Sequence, residues 1–262
     1  MSSTCVPARL PSVVAALQFP PFRGPDVMPM SWYEDYLLTN AEAFVTGGIT
    51  AIKIQDETRQ EGSASAQTIA RMSALGRVFK QAHPDVMLGI IVQAHDAVAP
   101  LCIADACGAD FVRLKVFVGT SVNAEGTRNA LSVQAEACRE DLNRRDIAIM
   151  ADVHDRTSVA LSRVNDATAA GWAQGMGADA IVLTGDSFDD SCAKIAAVRQ
   201  AGVKRPLYIG GGINGDNAKR ALEIADGIVV STSLMRKDAA DSDLLRWDVD
   251  AVRQLMHGLS AE

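Results

Sequence analysis

Short apolar runs in this chain end in polar side chains whose types suit acid–base and anion chemistry. "IAIMADVH" (147–154) ends in Asp152 and His154, a carboxylate and an imidazole able to move a proton. "TAIKIQDE" (50–57) carries Lys53, Gln55 and Glu57, and "FVRLKVFVG" (111–119) carries Arg113 and Lys115. Asp152 is the expected base and His154 a second acid or base. Arg113, Lys53 and Lys115 suit an enolate or another oxyanion. An amine among other cations loses affinity for its proton, so Lys53 or Lys115 could instead be a Schiff-base nucleophile. Asp152 is expected to matter for turnover and little for folding. No organic cofactor is predicted. A divalent metal remains an option on Asp152, His154 and Glu57, although no H-x-H or H-E-x-x-H spacing is present.

A second group binds rather than reacts. "YIGGGINGDN" (208–217) places Gly210, Gly211 and Gly212 between an apolar run and a helix-like stretch. Residues without side chains let an anion reach backbone N–H groups, and a following helix end adds unpaired donors. Ser231, Thr232 and Ser233 offer hydroxyls and amides after the next apolar run. Gln18, Gln93 and Thr184 end three more runs as candidate substrate contacts. The expected ligand is a small phosphorylated compound.

The elements that must position these residues follow from the alternation of apolar and amphipathic stretches. Strands are predicted at 12–19, 50–57, 86–93, 111–119, 147–154, 180–185, 206–212 and 227–232. Helices are predicted near 33–46, 66–82, 96–107, 128–144, 164–176, 188–201, 215–225 and 244–258. Eight such units in 262 residues predict one α/β domain over 1–262, a single (β/α)₈ TIM barrel with its core over about 12–258. The phrases "GGITAIKI", "CGADFVRL", "MGADAIVL" and "IADGIVV" repeat a small-residue helix end, often an Asp, and a new strand, as tight connections require. The Pro-rich segment 19–31 reads as a long loop at the catalytic mouth.

Strand parity then separates lumen from helix face. Ile147, Ile149, Ala151 and Val153 supply the apolar side of their strand, which turns Ala148, Met150, Asp152 and His154 inward. The same test turns Lys53, Gln55, Glu57, Arg113, Lys115, Gln18, Gln93 and Thr184 inward, a polar ring at the mouth where barrel active sites lie. Loops seven and eight, the usual phosphate site of such barrels, carry the glycines and the Ser231–Ser233 segment.

Composition narrows the partners. The net charge of −7 argues against general nucleic-acid or anionic-membrane binding. No stretch is long and apolar enough for a membrane span, and no signal peptide is evident. The five cysteines are odd in number and form no C-x-x-C pair. Free thiols and a cytoplasmic location are expected. A homo-oligomer is the expected form, since many barrels dimerise, although an acidic barrel can stand alone.

"CGADFVRLKVFVG", "ADVHDRTS", "GADAIVLTG" and "ADGIVVSTSL" together resemble the BtpA/SgcQ family of TIM-barrel proteins, and "AALQFPPFRGPD" resembles its N-terminal segment. The similarity spans roughly residues 12–258. Departures mark a divergent member: Gln18 stands where the family is expected to have His, and Lys115 where it tends to have Asn. Ile54-Gln55 replaces Glu-Asn, and Arg156-Thr157 replaces Lys-His. The resemblance implies a barrel with a small-molecule site and supports Arg113, Asp152 and Gly210–Gly212 as its residues. The family's name comes from photosystem I biogenesis, and other members look like parts of carbohydrate uptake; neither implies a reaction.

The first reading is an enzyme on a small phosphorylated, sugar-derived compound: an isomerase, epimerase or lyase. The alternatives are a hydrolase of a glycosidic, N-ribosyl or phosphate bond, using Glu57 with Asp152, and a non-catalytic binding or biogenesis factor.

Overall fold

The computed structural model describes residues 7, 9–25, 27–162 and 164–260; Cys5 lies outside them. Its strands are β1 (Val13–Phe19), β2 (Ala51–Asp56), β3 (Met87–Ile91), β4 (Phe111–Leu114), β5 (Thr120–Asn123), β6 (Gly126–Asn129), β7 (Ala148–Val153), β8 (Val159–Ala160), β9 (Ala180–Leu183), β10 (Leu207–Ile209) and β11 (Gly227–Val230). Its helices are α1 (Met30–Thr46), α2 (Ala66–Ala82), α3 (Val98–Cys107), α4 (Ser132–Asp141), α5 (Asp166–Gly175), α6 (Phe188–Gln200), α7 (Ala218–Ile224) and α8 (Val249–Ser260). Eight parallel strands close a barrel in the order β1-β2-β3-β4-β7-β9-β10-β11, with β11 back on β1.

Alternation along each strand builds two cores. Val14, Ala16, Ala51, Phe111, Met150, Val182, Tyr208 and Val229 pack on one another in the lumen. Ala15, Leu17, Ile52, Ile54, Val112, Leu114, Ile149 and Ala151 join the layer beneath the helices. Lys53, Arg113 and Asp152 stand two residues beyond Ala51, Phe111 and Met150, so they share the lumen side. Two glycines make room for the rings that fill the lumen floor: a Cβ at Gly89 would enter the Phe111 ring, and one at Gly227 the Tyr208 ring. The Tyr208 hydroxyl lies 3.1 and 3.0 Å from the Leu10 and Pro11 carbonyls, closing the N-terminal end of the barrel.

The repeated Asp of the helix-to-strand phrases has a structural task. Asp110 accepts from the Leu88 amide at 2.8 Å, Asp179 from Ile149 at 3.0 Å and Asp226 from Leu207 at 2.9 Å. Each carboxylate thus pins the preceding barrel strand. Each also meets a cation from the helix just before that strand: Lys80, Arg139 and Arg199 respectively. Gly108, in the left-handed conformation at φ 76°, ends α3 just ahead of Asp110.

One segment departs from the sequence reading. The fourth strand ends at Leu114, not at 119, and the predicted helix 128–144 shortens to α4. Between them β5 and β6 form a hairpin, joined edge-on by β8. Strict alternation fails after Lys115, because Val116 and Phe117 are both buried. Their carbonyls accept from Leu131 and Ser132, at the start of α4, instead of continuing the barrel ladder. The hairpin turn "NAEG" ends on Gly126 at φ 108°, a conformation suited to glycine.

The chain's last segment is locked by buried Asn40 on α1. Its amide donates to the Tyr36 and Leu244 carbonyls at 2.7 and 2.8 Å, and its oxygen accepts from the Arg246 and Trp247 amides. Cys107, Cys138 and Cys192 are buried free thiols, and Cys102 is a half-buried one. Among the described residues no helix is long and apolar enough to cross a membrane.

Candidate active site

The barrel mouth holds a cavity of about 380 Å³. Lys53, Arg113 and Lys115 enter it from β2, from β4 and from just beyond β4; Gly210–Gly212 and Ser231–Ser233 enter it from beyond β10 and β11. Gln18 and Thr184 line it too. These residues lie far apart in sequence, and strand closure brings them to one rim.

Lys53 is almost wholly buried, and its Nζ donates to Gln55 Oε1 at 2.7 Å. Gln55 in turn donates to Glu57. Burial, reinforced by the Arg113 charge, pulls the Lys53 amine well below the usual lysine range. A buried amine whose hold on its proton is weakened therefore faces the cavity.

Arg113 and Asp152 form a forked ion pair. Arg113 Nη2 donates to Asp152 Oδ1 at 2.8 Å, and Nε lies 3.1 and 3.2 Å from the two carboxylate oxygens. The side chains are 12% and 4% exposed. Burial raises the Asp152 carboxyl, with Arg113 opposing. Asp152 does not reach the main cavity wall; Arg113 stands there, with Asp152 behind it. This contact argues against the expectation that Asp152 matters little for folding, because a buried guanidinium is paired with it.

Parity reasoning weakens past the strand ends. Lys115 lies one residue beyond β4 and donates from Nζ to Gln93 Oε1 at 2.7 Å. Gln93, beyond β3, is absent from the main cavity and lines a side compartment of about 100 Å³ with Arg59, Lys115 and Arg128. His154, beyond β7, has a left-handed backbone at φ 51° and also misses the main cavity. Its Nδ1 lies 2.6 Å from Asp166 Oδ1, and this contact holds the Asp166 carboxyl below the ordinary range. Glu57 is occupied by Gln55. Among the described residues no group of three or more His, Cys, Asp or Glu side chains could hold a metal, so Asp152, His154 and Glu57 do not form the conditional metal set.

The three glycines have separate reasons. A Cβ on Gly210 would collide with Thr184 and lie 2.6 Å from Val182 and 3.2 Å from Arg113, so this glycine lets the lumen pack. Gly212 sits at φ 75° and turns the chain. Gly211 has neither constraint: a Cβ there would meet only Arg156 at 3.7 Å and Thr184 at 3.8 Å. The Gly210 amide is spent on the Leu183 carbonyl. The amides of Gly211, Gly212, Thr232 and Ser233 have no protein acceptor among the described residues. Ser231 Oγ lies 2.7 Å from the Ala16 carbonyl and 2.8 Å from Gln18 Oε1, tying the two strand ends together. Ahead of the helix after "NGDN", three amides are already spent: those of Asn214, Asp216 and Asn217 bond to the side chains of Asn217 and Asn214, and α7 starts only at Ala218.

The sequence profile of the BtpA family matches residues 13–260. The chain belongs to the BtpA family. An uncharacterized protein of Archaeoglobus fulgidus is 28% identical over 247 residues, which is 92% of this chain and 98% of that relative. Among solved structures, the tryptophan synthase alpha subunit of Legionella pneumophila superposes with a TM-score of 0.61 at 12% identity, over 95% of this chain and 93% of that one. KGPDC of Streptococcus mutans gives 0.56 at 15%, over 96% and 98%. N-(5'-phosphoribosyl)anthranilate isomerase of Pyrococcus furiosus gives 0.53 at 11%, over 96% and 99%. Identities this low establish the shared barrel fold for this family member.

Sequence reasoning noted Arg156 and Thr157 only as departures from the family pattern. Both line the cavity, from the loop after β7. Their position after a strand end was the available signal, but the loop's path was not readable.

Proposed function

We propose that this BtpA-family protein is an enzyme that acts on a small phosphorylated, sugar-derived compound by proton transfer, as an isomerase, epimerase or lyase. The observation that carries the reading is one cavity lined both by Gly211, Gly212, Thr232 and Ser233, whose amides have no protein acceptor among the described residues, and by Lys53, Arg113 and Lys115. The amides suit a phosphate, and the cations suit an oxygen that becomes negative during reaction. Solved barrels of similar fold include N-(5'-phosphoribosyl)anthranilate isomerase, which supports this ligand class as one the fold can take.

Proton transfer falls to Lys53. Once deprotonated, a step its lowered pKa favours, its amine can accept a proton from a carbon beside a carbonyl, becoming an ammonium while the carbonyl oxygen becomes an enolate. Arg113 and Lys115 face that oxygen's charge. Returning the proton to the same or a neighbouring carbon gives epimerisation or isomerisation, and loss of a leaving group from the enolate gives a lyase. Asp152 orients and neutralises Arg113. Hydrolysis by paired carboxylates has less support, because neither Glu57 nor Asp152 lines the main cavity.

A second reading rests on the same buried amine. In its deprotonated form the Lys53 amine could add to a ligand carbonyl and lose water to give an iminium ion. Borohydride would reduce that ion to a stable secondary amine, visible as a ligand mass on the Lys53 peptide.

A thermal-shift screen pairing sugar phosphates with their unphosphorylated sugars tests the main reading, followed by turnover assays on the hits. Phosphorylated compounds should raise the melting temperature and the free sugars should not. Equal stabilisation by both members of each pair would remove the phosphate reading.

A further inference from the structure

Arg156 is an exposed arginine at the mouth that makes no hydrogen bond or ion pair among the described residues. Its neighbours at the rim are engaged: Arg59 and Arg128 both meet Glu125, and Arg113 meets Asp152. Arg156 lines the main cavity, and its Nη2 would lie 3.7 Å from a Cβ placed on Gly211. A free guanidinium therefore stands across the open space that a side chain at Gly211 would occupy.

The loop is built to present it. His154 leaves β7 in the left-handed conformation and is anchored by Asp166, which also meets Lys194 at 3.4 Å. A tight turn follows, with the Ser158 amide donating to the Asp155 carbonyl at 3.0 Å. Asp155 also lines the cavity, but its carboxylate is taken by the amide and hydroxyl of Thr157, leaving the guanidinium without a partner.

We infer that Arg156 is the second wall of the anion site and selects the phosphomonoester dianion of the ligand. This deepens the phosphate reading above and rests on it. The amides of Gly211, Gly212, Thr232 and Ser233, free of protein acceptors among the described residues, are the donors available on the opposite wall. A guanidinium adds a planar fork that matches two oxygens at once. A terminal phosphate has three free oxygens and enough lone pairs to meet both walls. A carboxylate has two oxygens and one charge, so engaging the fork leaves few acceptors for the amides. Arg156 is thus a binding and specificity residue, outside the proton transfer.

The test uses the whole chain, with inorganic phosphate and acetate as probes and dissociation constants read by calorimetry. Wild-type protein should bind phosphate and prefer it to acetate. Arg156→Gln should weaken phosphate about 10–30-fold, the lower range for losing a charge-assisted contact at a solvated site. Arg156→Lys, a point charge without the fork, should lose less. Arg156→Gln should leave the melting temperature without phosphate unchanged, because the side chain holds nothing in the fold. Arg23→Gln, an exposed arginine outside this cavity, should bind phosphate as wild type does. If Arg156→Gln binds phosphate within about twofold of wild type while Gly211→Val abolishes binding, the amide cradle stands and the role of Arg156 is overturned. If wild-type protein binds no phosphate, the phosphate reading fails and this inference with it.

Discussion

Replacing Asp152 by Asn is expected to destabilise the protein by about 2–4 kcal/mol, although it changes one atom. Removing one partner of a buried ion pair costs about 3–5 kcal/mol, because the other charge stays buried without its counterion. Two features lower that figure here. Asn keeps an oxygen that can still accept from Arg113, and the Arg113 side chain keeps 12% of its surface toward the cavity. In a domain of this size about 1 kcal/mol moves the melting temperature by about 2–4 °C, so a fall of about 4–16 °C is expected. The companion variant removes both charges. Arg113→Met with Asp152→Leu should return to within about 1 kcal/mol of wild type, because apolar replacements leave no buried charge behind. Thermal and urea unfolding of wild type, the Asn single variant and the double variant form the assay. An Asp152→Asn melting point within about 1 °C of wild type, or a double variant no better than the single, would refute the ion-pair reasoning.

Lys53→Met should abolish turnover yet raise stability at neutral pH by about 1 kcal/mol or more, since the buried amine costs solvation. The sign with pH follows from its lowered pKa: the unfolded chain binds a proton there that the folded chain does not, so wild-type stability rises with pH toward the usual lysine range. The advantage of Lys53→Met should accordingly shrink between pH 7 and about pH 10 in urea unfolding. Gly211→Val should leave folding nearly unchanged, because its Cβ meets only atoms at 3.7 Å or beyond, while weakening phosphorylated ligands at least tenfold, or about 1.4 kcal/mol, and unphosphorylated ones far less. Asn40→Leu should cost about 2–4 kcal/mol in urea unfolding and expose the 235–248 segment to proteolysis, since the amides of Arg246 and Trp247 and the Leu244 carbonyl lose their partner.

The sequence by itself determined the barrel. Alternating apolar residues in "TAIKI", "FVRL" and "IAIMADV" can satisfy a helix-covered parallel strand only with Lys53, Arg113 and Asp152 turned inward, and a period of two leaves no other arrangement. It also marked the two segments proposed to hold an anion, because glycines and hydroxyl residues follow the last two strands and line the mouth cavity. What it could not determine begins where strands stop. Parity has no meaning past Leu114 or Val153, so the hairpin at β5–β6, the outward turn of His154 and the departure of Gln93 needed the fold. Only tertiary structure revealed that Gly210 and Gly212 answer to packing and a turn while Gly211 borders open cavity, and that Asn214 and Asn217 take three amides ahead of α7. Arg156 reaches Gly211 because barrel closure brings the loop after β7 to the end of β10. That proximity is a property of the closed sheet, and no local pattern in the chain encodes it.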